Sequence, residues 1–151
     1  MSTRRRGREV ALQLLYALEI TQADAEQTLT APWVEELLSP VIHDFTLALV
    51  RGVVTQREAI DVLIQEASTN WSLERIALVE RNILRYAIYE LVFMPEIPPN
   101  VTINEAVEVA KKYGTEEAPA FINGILDRIK RDVLLPATAE RVAVDGVDST
   151  P

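Results

Sequence analysis

The chain has 151 residues, 48% of them hydrophobic, with no cysteine, one histidine and a formal net charge of −8. That apolar content supports a packed core and excludes an intrinsically disordered chain, and the length allows one domain or two small subdomains. The lack of cysteine excludes disulfides, thiolate chemistry and Cys-ligated zinc; no apolar run reaches the ~18 residues of a membrane span, and no signal peptide is predicted, so the chain is expected in the cytoplasm.

The amino end is predicted helical from about Arg4 to Ile20, because Val10, Leu14 and Leu18 recur at spacing four with Ala11, Leu15 and Ala17 beside them. Asp24 to Thr30 is polar and reads as a loop. A short helix with Pro32 in its first turn follows. Ser39-Pro40 then signals a new start, a hydroxyl cap ahead of a proline. The next stripe runs through Phe45, Leu49 and Val53 to about Ser68, and Gly52 inside it marks a kink or a break. Trp71-Ser72 is predicted to open the longest helix, with Trp71 and Ile76 at hydrophobic-staple spacing and a stripe of Ile76, Ile83, Leu84, Ala87, Ile88 and Leu91. Pro95, Pro98 and Pro99 end it. Thr102 and Glu105 have capping-box spacing for the following helix, which Gly114 stops. The last helix has Pro119 in its first turn and Ile122, Ile125, Leu126, Ile129 and Val133 on its core face. No strand-length alternation is present, and Asn123-Gly124 sits inside a helical stripe, so the class is all-α. Residues 1–136 form the helical domain, and the small, acidic stretch 137–151 is predicted to be a disordered tail.

The charge is uneven. Arg4, Arg5, Arg6 and Arg8 stand in the first eight residues with no acidic residue among them. Residues 9–110 hold five Lys/Arg against sixteen Asp/Glu, whereas 111–131 hold five against three. Arginines at a helix amino end oppose the macrodipole, a local cost that a phosphate ligand removes, and the planar guanidinium suits phosphate. The plain alternative is a solvated basic end. Phe121 and Asn123 lie about 100° to either side of Ile122 on the last helix. A rim aromatic and an amide are tools for an unpaired base, one stacking and one bonding to its edge; the alternative is a core ring and a local cap. Glu80 falls between Ile76 and Ile83 in an apolar stripe, where a carboxylate needs a partner, either inside the protein or brought by another. Tyr16, Tyr86 and Tyr89 are amphipathic in the way interface tyrosines are.

Enzyme chemistry finds no support. His43 is the sole histidine, and Pro40 stands where a Glu-x-x-His ligand pair needs its glutamate. Glu35-Glu36 and Glu116-Glu117 read as solvated pairs or as complements to helix amino ends. No glycine loop cradles a phosphate. No cofactor and no metal is expected.

Four runs in order carry a family resemblance. They are Arg4-Arg5-Arg6-Gly7-Arg8-Glu9 with Leu12-Gln13-Leu14-Leu15-Tyr16, the stretch Val79-Glu80-Arg81-Asn82-Ile83-Leu84-Arg85-Tyr86, Val101-Thr102-Ile103-Asn104-Glu105-Ala106 leading to Lys111-Lys112-Tyr113-Gly114, and Phe121-Ile122-Asn123-Gly124-Ile125-Leu126-Asp127. Together they resemble the NusB transcription antitermination factor family over about residues 4–134. The resemblance implies two perpendicular three-helix bundles forming one unit. It implies binding of the boxA element of ribosomal RNA leader transcripts together with NusE, a small-subunit ribosomal protein, in a larger complex with NusA, NusG and RNA polymerase that prevents early termination. It assigns RNA contact to Arg4, Arg5, Arg6, Arg8, Glu117, Phe121 and Asn123, and places Tyr16, Glu80 and Arg85 at or beside the NusE contact, with a NusE arginine as the counter-charge of Glu80. The alternative is a helical interaction module without direct RNA contact, of the kind also fused to ribosomal RNA cytosine methyltransferases.

Overall fold

Helix α1, Thr3–Thr21, forms where the spacing-four stripe predicts it and buries Val10, Ala11, Leu14 and Leu15. The computed structural model describes residues 3–69 and 71–135, and over them the chain is all-α. The stretch expected to be a loop holds a short helix, α2, Ala25–Leu29. Asp24 caps it by accepting the Gln27 backbone N–H (3.0 Å), and Leu29 is buried, so a polar stretch with a single apolar anchor still folds. Helix α3, Pro32–Leu37, and helix α4, Pro40–Ala67, both begin on their prolines.

At 28 residues α4 is the longest helix described, and it is not broken at Gly52. Its one non-helical residue is Gln56 (φ −104°, ψ 15°). Gly52 serves packing instead: a Cβ there would fall inside the Tyr89 ring. The start expected at Trp71-Ser72 is only a 3-10 turn, Leu73–Arg75. Ile76 and Ala77 are then extended, so that Ile76 is buried, and α5 begins at Leu78 and runs to Phe93. Helix α6, Pro99–Tyr113, starts before the supposed capping box, with proline at its first position. Thr102 and Glu105 lie inside it and spend their side chains on other helices. Helix α7, Ala118–Ile129, has Pro119 in its first turn and buries Ile122, Ile125, Leu126 and Ile129 as expected. A π turn, Lys130–Leu134, follows it. The predicted tail, 137–151, lies outside the described residues.

The packing follows a two-bundle arrangement. Helices α1 and α4 lie against each other, with α2 on α4, while α5, α6 and α7 pack mutually; α5 also lies on α1 and α4 and so joins the halves. Leu14, Leu49, Ile83, Leu84, Ile88, Ile122 and Leu126 are fully buried, each removal from water contributing about 1.5–3 kcal/mol.

Two ion clusters cross this core. Arg8, 1% exposed, makes a bidentate pair with Glu90, 0% exposed: Nε donates to Oε2 (2.7 Å) and Nη2 to Oε1 (2.6 Å). The Thr102 hydroxyl donates to the same Oε1 (2.9 Å), so α1, α5 and α6 are tied at one point. Buried Arg85 on α5 binds Asp61 of α4 through Nε (2.9 Å) and Nη2 (3.1 Å), and Glu19 of α1 through Nη1 (2.8 Å). The Asn82 amide also donates to Glu19 (2.9 Å).

Removing one partner strands a buried charge. Arg8→Met is expected to lower the urea-unfolding free energy by about 3–5 kcal/mol, and the double variant Arg8→Met/Glu90→Met to recover most of it, because both desolvation costs then vanish. Gly52→Ala is expected to destabilise by about 1–3 kcal/mol through overpacking against Tyr89, read as a lower thermal midpoint.

Candidate nucleic-acid interface

The first turns of α1 send their arginines in different directions. Arg4 is exposed, its guanidinium 5.2 Å from the centroid of the Phe45 ring. Arg5 leans on α6, donating from Nε to Glu105 Oε2 (2.6 Å) and from Nη2 to Oε1 (3.2 Å). Arg6 is exposed, with Nη1 3.8 Å from Glu9 Oε2. Arg8 departs from the expectation of a surface cation. It shares the inward face with Ala11, Leu12 and Leu15, its charge is met by Glu90, and it has no surface left for a phosphate. Desolvation works against its charged form, but the Glu90 hydrogen bonds and charge outweigh it and hold the guanidinium above its ordinary pKa.

Glu9, one turn after Arg5, faces α6 as well. Its Oε2 accepts the Tyr113 hydroxyl (2.6 Å) and the Lys112 ammonium (3.0 Å). The last turn of α6 is thereby held against the arginine end. The next residues are gripped from the other side: Glu80 Oε1 accepts the Thr115 backbone N–H (3.0 Å) and hydroxyl (3.3 Å). Gly114 fits between, since a Cβ there would lie 2.7 Å from the Ala118 Cβ and 3.1 Å from Glu80 Oε1.

Past this turn a cleft of about 360 Å³ opens, lined by Trp71, Arg75, Glu80, Glu117 and Phe121 among others. Phe121 and Glu117, one helical turn apart, both line it. Asn123 is exposed but projects from another side of α7 and is not part of the lining, so the ring and the amide are not brought to one pocket. Trp71 and Arg75 carry no site expectation from the sequence, where Trp71 has only staple spacing, yet both are exposed and line the cleft. Lys112 and Tyr113 were also missed, although the Lys111-Lys112 pair beside an aromatic was visible. The arginine end and the last helix do not pack directly on each other as one ledge; α6 lies between them and carries the connection.

The residues expected to meet a partner also separate. Tyr16 is exposed. Glu80 is buried, and within the chain its Oε1 holds Thr115; among the described residues its Oε2 takes no hydrogen bond. Arg85 is a correction, since Asp61 and Glu19 enclose it within the core and leave it no contact surface. Around it, Arg57 and Arg81 reach Glu19 at 3.5 and 3.6 Å.

A model of the NusB family spans residues 5–131. The chain belongs to the NusB family. It is 50% identical over 137 residues to the transcription antitermination protein NusB of Geotalea uraniireducens, covering 85% of this chain and 94% of that protein. Among solved structures it is similar to NusB of T. maritima (40% identity, TM-score 0.75, covering 87% of this chain and 94% of the other). It is also similar to a chain in a crystal structure of the antitermination factors NusB and NusE in complex with double-stranded RNA (27% identity, TM-score 0.73, covering 85% and 96%). As a member of this family the chain is a non-enzymatic transcription antitermination protein.

Two of the carboxylates that tie helices together have lowered pKa values. Burial raises the pKa of Glu9, but hydrogen bonds from Tyr113 and Lys112 and the charges of Lys112 and Arg6 leave it below the ordinary value. Glu19 is likewise raised by burial and lowered further by Asn82, Arg85, Arg81 and Arg57. A depressed carboxylate pKa stabilises the fold above the unfolded-state value, near ~4.3, and that contribution is lost as pH falls through the folded value. Thermal midpoints are therefore expected to be level from neutral pH down to about 5 and to drop below about 4.5, less steeply in Glu19→Gln.

Proposed function

We propose that this chain binds the boxA element of ribosomal RNA leader transcripts jointly with NusE, and that the assembly, with NusA, NusG and RNA polymerase, suppresses premature termination in the cytoplasm. The observation that carries the RNA half is the local excess of cations on an acidic chain. Arg4 and Arg6 at the head of α1 and Lys112 at the end of α6 are exposed, and Glu9 links Arg6 to Lys112, while the intervening sequence is strongly acidic. A polyanion is attracted to that edge and repelled elsewhere, which orients it. Arg5, though paired with Glu105, adds to the same positive edge. Phe121 in the cleft supplies a ring for an unpaired base, with Glu117 an acceptor one turn away; Asn123 serves, if the strand follows α7, at a separate point. Arg8 supports the site by fixing α1 rather than by touching phosphate.

The NusE half rests on a similar solved structure that contains NusB, NusE and RNA together. On this chain, exposed Tyr16 and the uncommitted Oε2 of Glu80 are the contacts assigned to it, a tyrosine at the interface and a carboxylate that a NusE cation completes. Arg85 contributes through Glu19 by holding α1 and α5 in place.

The test is a fluorescence-anisotropy titration of boxA RNA, with scrambled RNA as reference, at several salt concentrations. Replacing Arg4, Arg5 and Arg6 by alanine is expected to weaken boxA binding and to make the plot of log affinity against log salt shallower by about 2 units, about 0.7 for each lost single-strand phosphate contact, with NusE binding retained. Unchanged affinity and slope would count against the site.

A further inference from the structure

We propose that Glu9 is a positioning residue for RNA binding: it holds Lys112 and Tyr113 beside Arg6, so that the arginine end of α1 and the end of α6 form one cationic track. The inference rests on the RNA-binding reading above.

The contacts of Glu9 differ from those of the other buried charges. In the Arg8–Glu90 pair both partners are out of water, as a structural tie requires. Glu9 is 2% exposed, yet its partners lie at the surface: Lys112 is 53% exposed in its side chain, Tyr113 is 42% exposed as a residue, and Arg6 is exposed. All three converge on a single oxygen, Oε2. A buried anion thus anchors exposed groups of two helices from beneath. The Lys112 ammonium lies 5.2 Å from the Tyr113 ring centroid as well, which keeps the pair together. An ammonium has three donor hydrogens, and the bond to Glu9 uses one, so the others remain for an anion.

The placement gives the anchoring a use. On α1, Arg5 and Glu9 are one turn apart, and they meet Glu105 and Lys112 respectively, so this turn of α1 is fastened to α6 at two points. Lys112, which shares Glu9 Oε2 with Arg6, and Tyr113 lie immediately before Gly114 and Thr115, the turn that Glu80 fixes and that leads to the Phe121 cleft. Without the tether, a lysine and a tyrosine at a helix end move independently of the arginines. With it, a phosphate chain that leaves Arg6 meets Lys112 next, with its rotamer already set.

Simple electrostatics predicts the opposite outcome when Glu9 is neutralised, which makes the test sharp. Removing a negative charge beside a phosphate track strengthens RNA binding by charge alone; removing a positioning group weakens it. In the titration already described, with the full chain, Glu9→Gln is expected to weaken boxA binding about tenfold, the order that one lost charge-assisted hydrogen bond carries, and to reduce the salt slope by about 0.7 as Lys112 drops out. Tyr113→Phe leaves the charge unchanged and is expected to weaken binding in the same direction. The double variant is expected to be no worse than Glu9→Gln, because both act through one contact. NusE binding, measured alongside, is expected to stay at the wild-type level, which a general loss of structure would not allow. Wild-type or tighter RNA binding by Glu9→Gln, or fully additive losses in the double variant, would overturn the proposal. Should Glu9→Gln not fold, Tyr113→Phe decides alone, and wild-type RNA affinity there overturns it. The Arg4/Arg5/Arg6 alanine variant separates the two levels. If it weakens RNA binding while Glu9→Gln does not, only the role of Glu9 fails; if it leaves RNA binding unchanged, the RNA site fails and this role with it.

Discussion

The buried bond between Arg8 and Glu90 sets the position of nearly everything at the amino end. A bidentate guanidinium–carboxylate pair has one good geometry, and here the Thr102 hydroxyl completes it, so α1, α5 and α6 have a single register at that point. The pair adds little net stability, since desolvating both ions offsets most of their attraction. What it supplies is direction. With Arg8 turned inward, helical geometry turns Arg5 and Glu9 toward α6 and leaves Arg4 and Arg6 at the surface. A neutral, well-packed pair in its place would hold the helices together but would fix their rotation less sharply.

The same device explains how a chain of net charge −8 presents a positive edge. Several of its carboxylates are used internally. Glu90 holds Arg8, Glu19 and Asp61 hold Arg85, Glu105 holds Arg5, and Glu80 holds the backbone of Thr115. The first four each join two helices, and Glu80 joins α5 to the turn between α6 and α7. An acidic composition is therefore partly a list of internal fasteners, and net charge alone is a poor guide to what the surface offers at a given place.

Helix existence was legible in the sequence wherever a stripe was long: α1, α4 and α7 follow their apolar spacing. The boundaries that failed did so for tertiary reasons. Thr102 and Glu105 have the local pattern of a cap, but Glu90 and Arg5 claim their side chains, and proline at position 99 starts the helix earlier. Gly52 looks like a breaker until Tyr89, 37 positions away in the chain, is seen to occupy the space a side chain would need. The site divides in the same way. That arginines cluster at the amino end is a fact of sequence; that one of four is buried depends on Glu90, 82 residues away. Likewise, no local pattern reveals that Glu9 reaches Lys112 and Tyr113, because that contact exists only once α1 meets α6. The buried polar position of Glu80 was visible from its apolar neighbours, but its partner, a backbone N–H beyond Gly114, was not.

Helix α1 is the element that both proposed surfaces share, and it is held at two points. Arg8 ties its first half to Glu90, and Glu19 ties its second half to Arg85 and Asn82, all within the core. Between these ties lie Glu9, which faces α6 below the proposed RNA site, and exposed Tyr16, which the proposed function assigns to the partner. They are seven residues apart, two turns of one helix and about 10 Å, and so lie on one stripe. A helix pinned at both ends cannot rotate one of these residues without the other. The ion pairs toward either end of α1, each with a buried arginine, are what keep these two positions in a fixed relation.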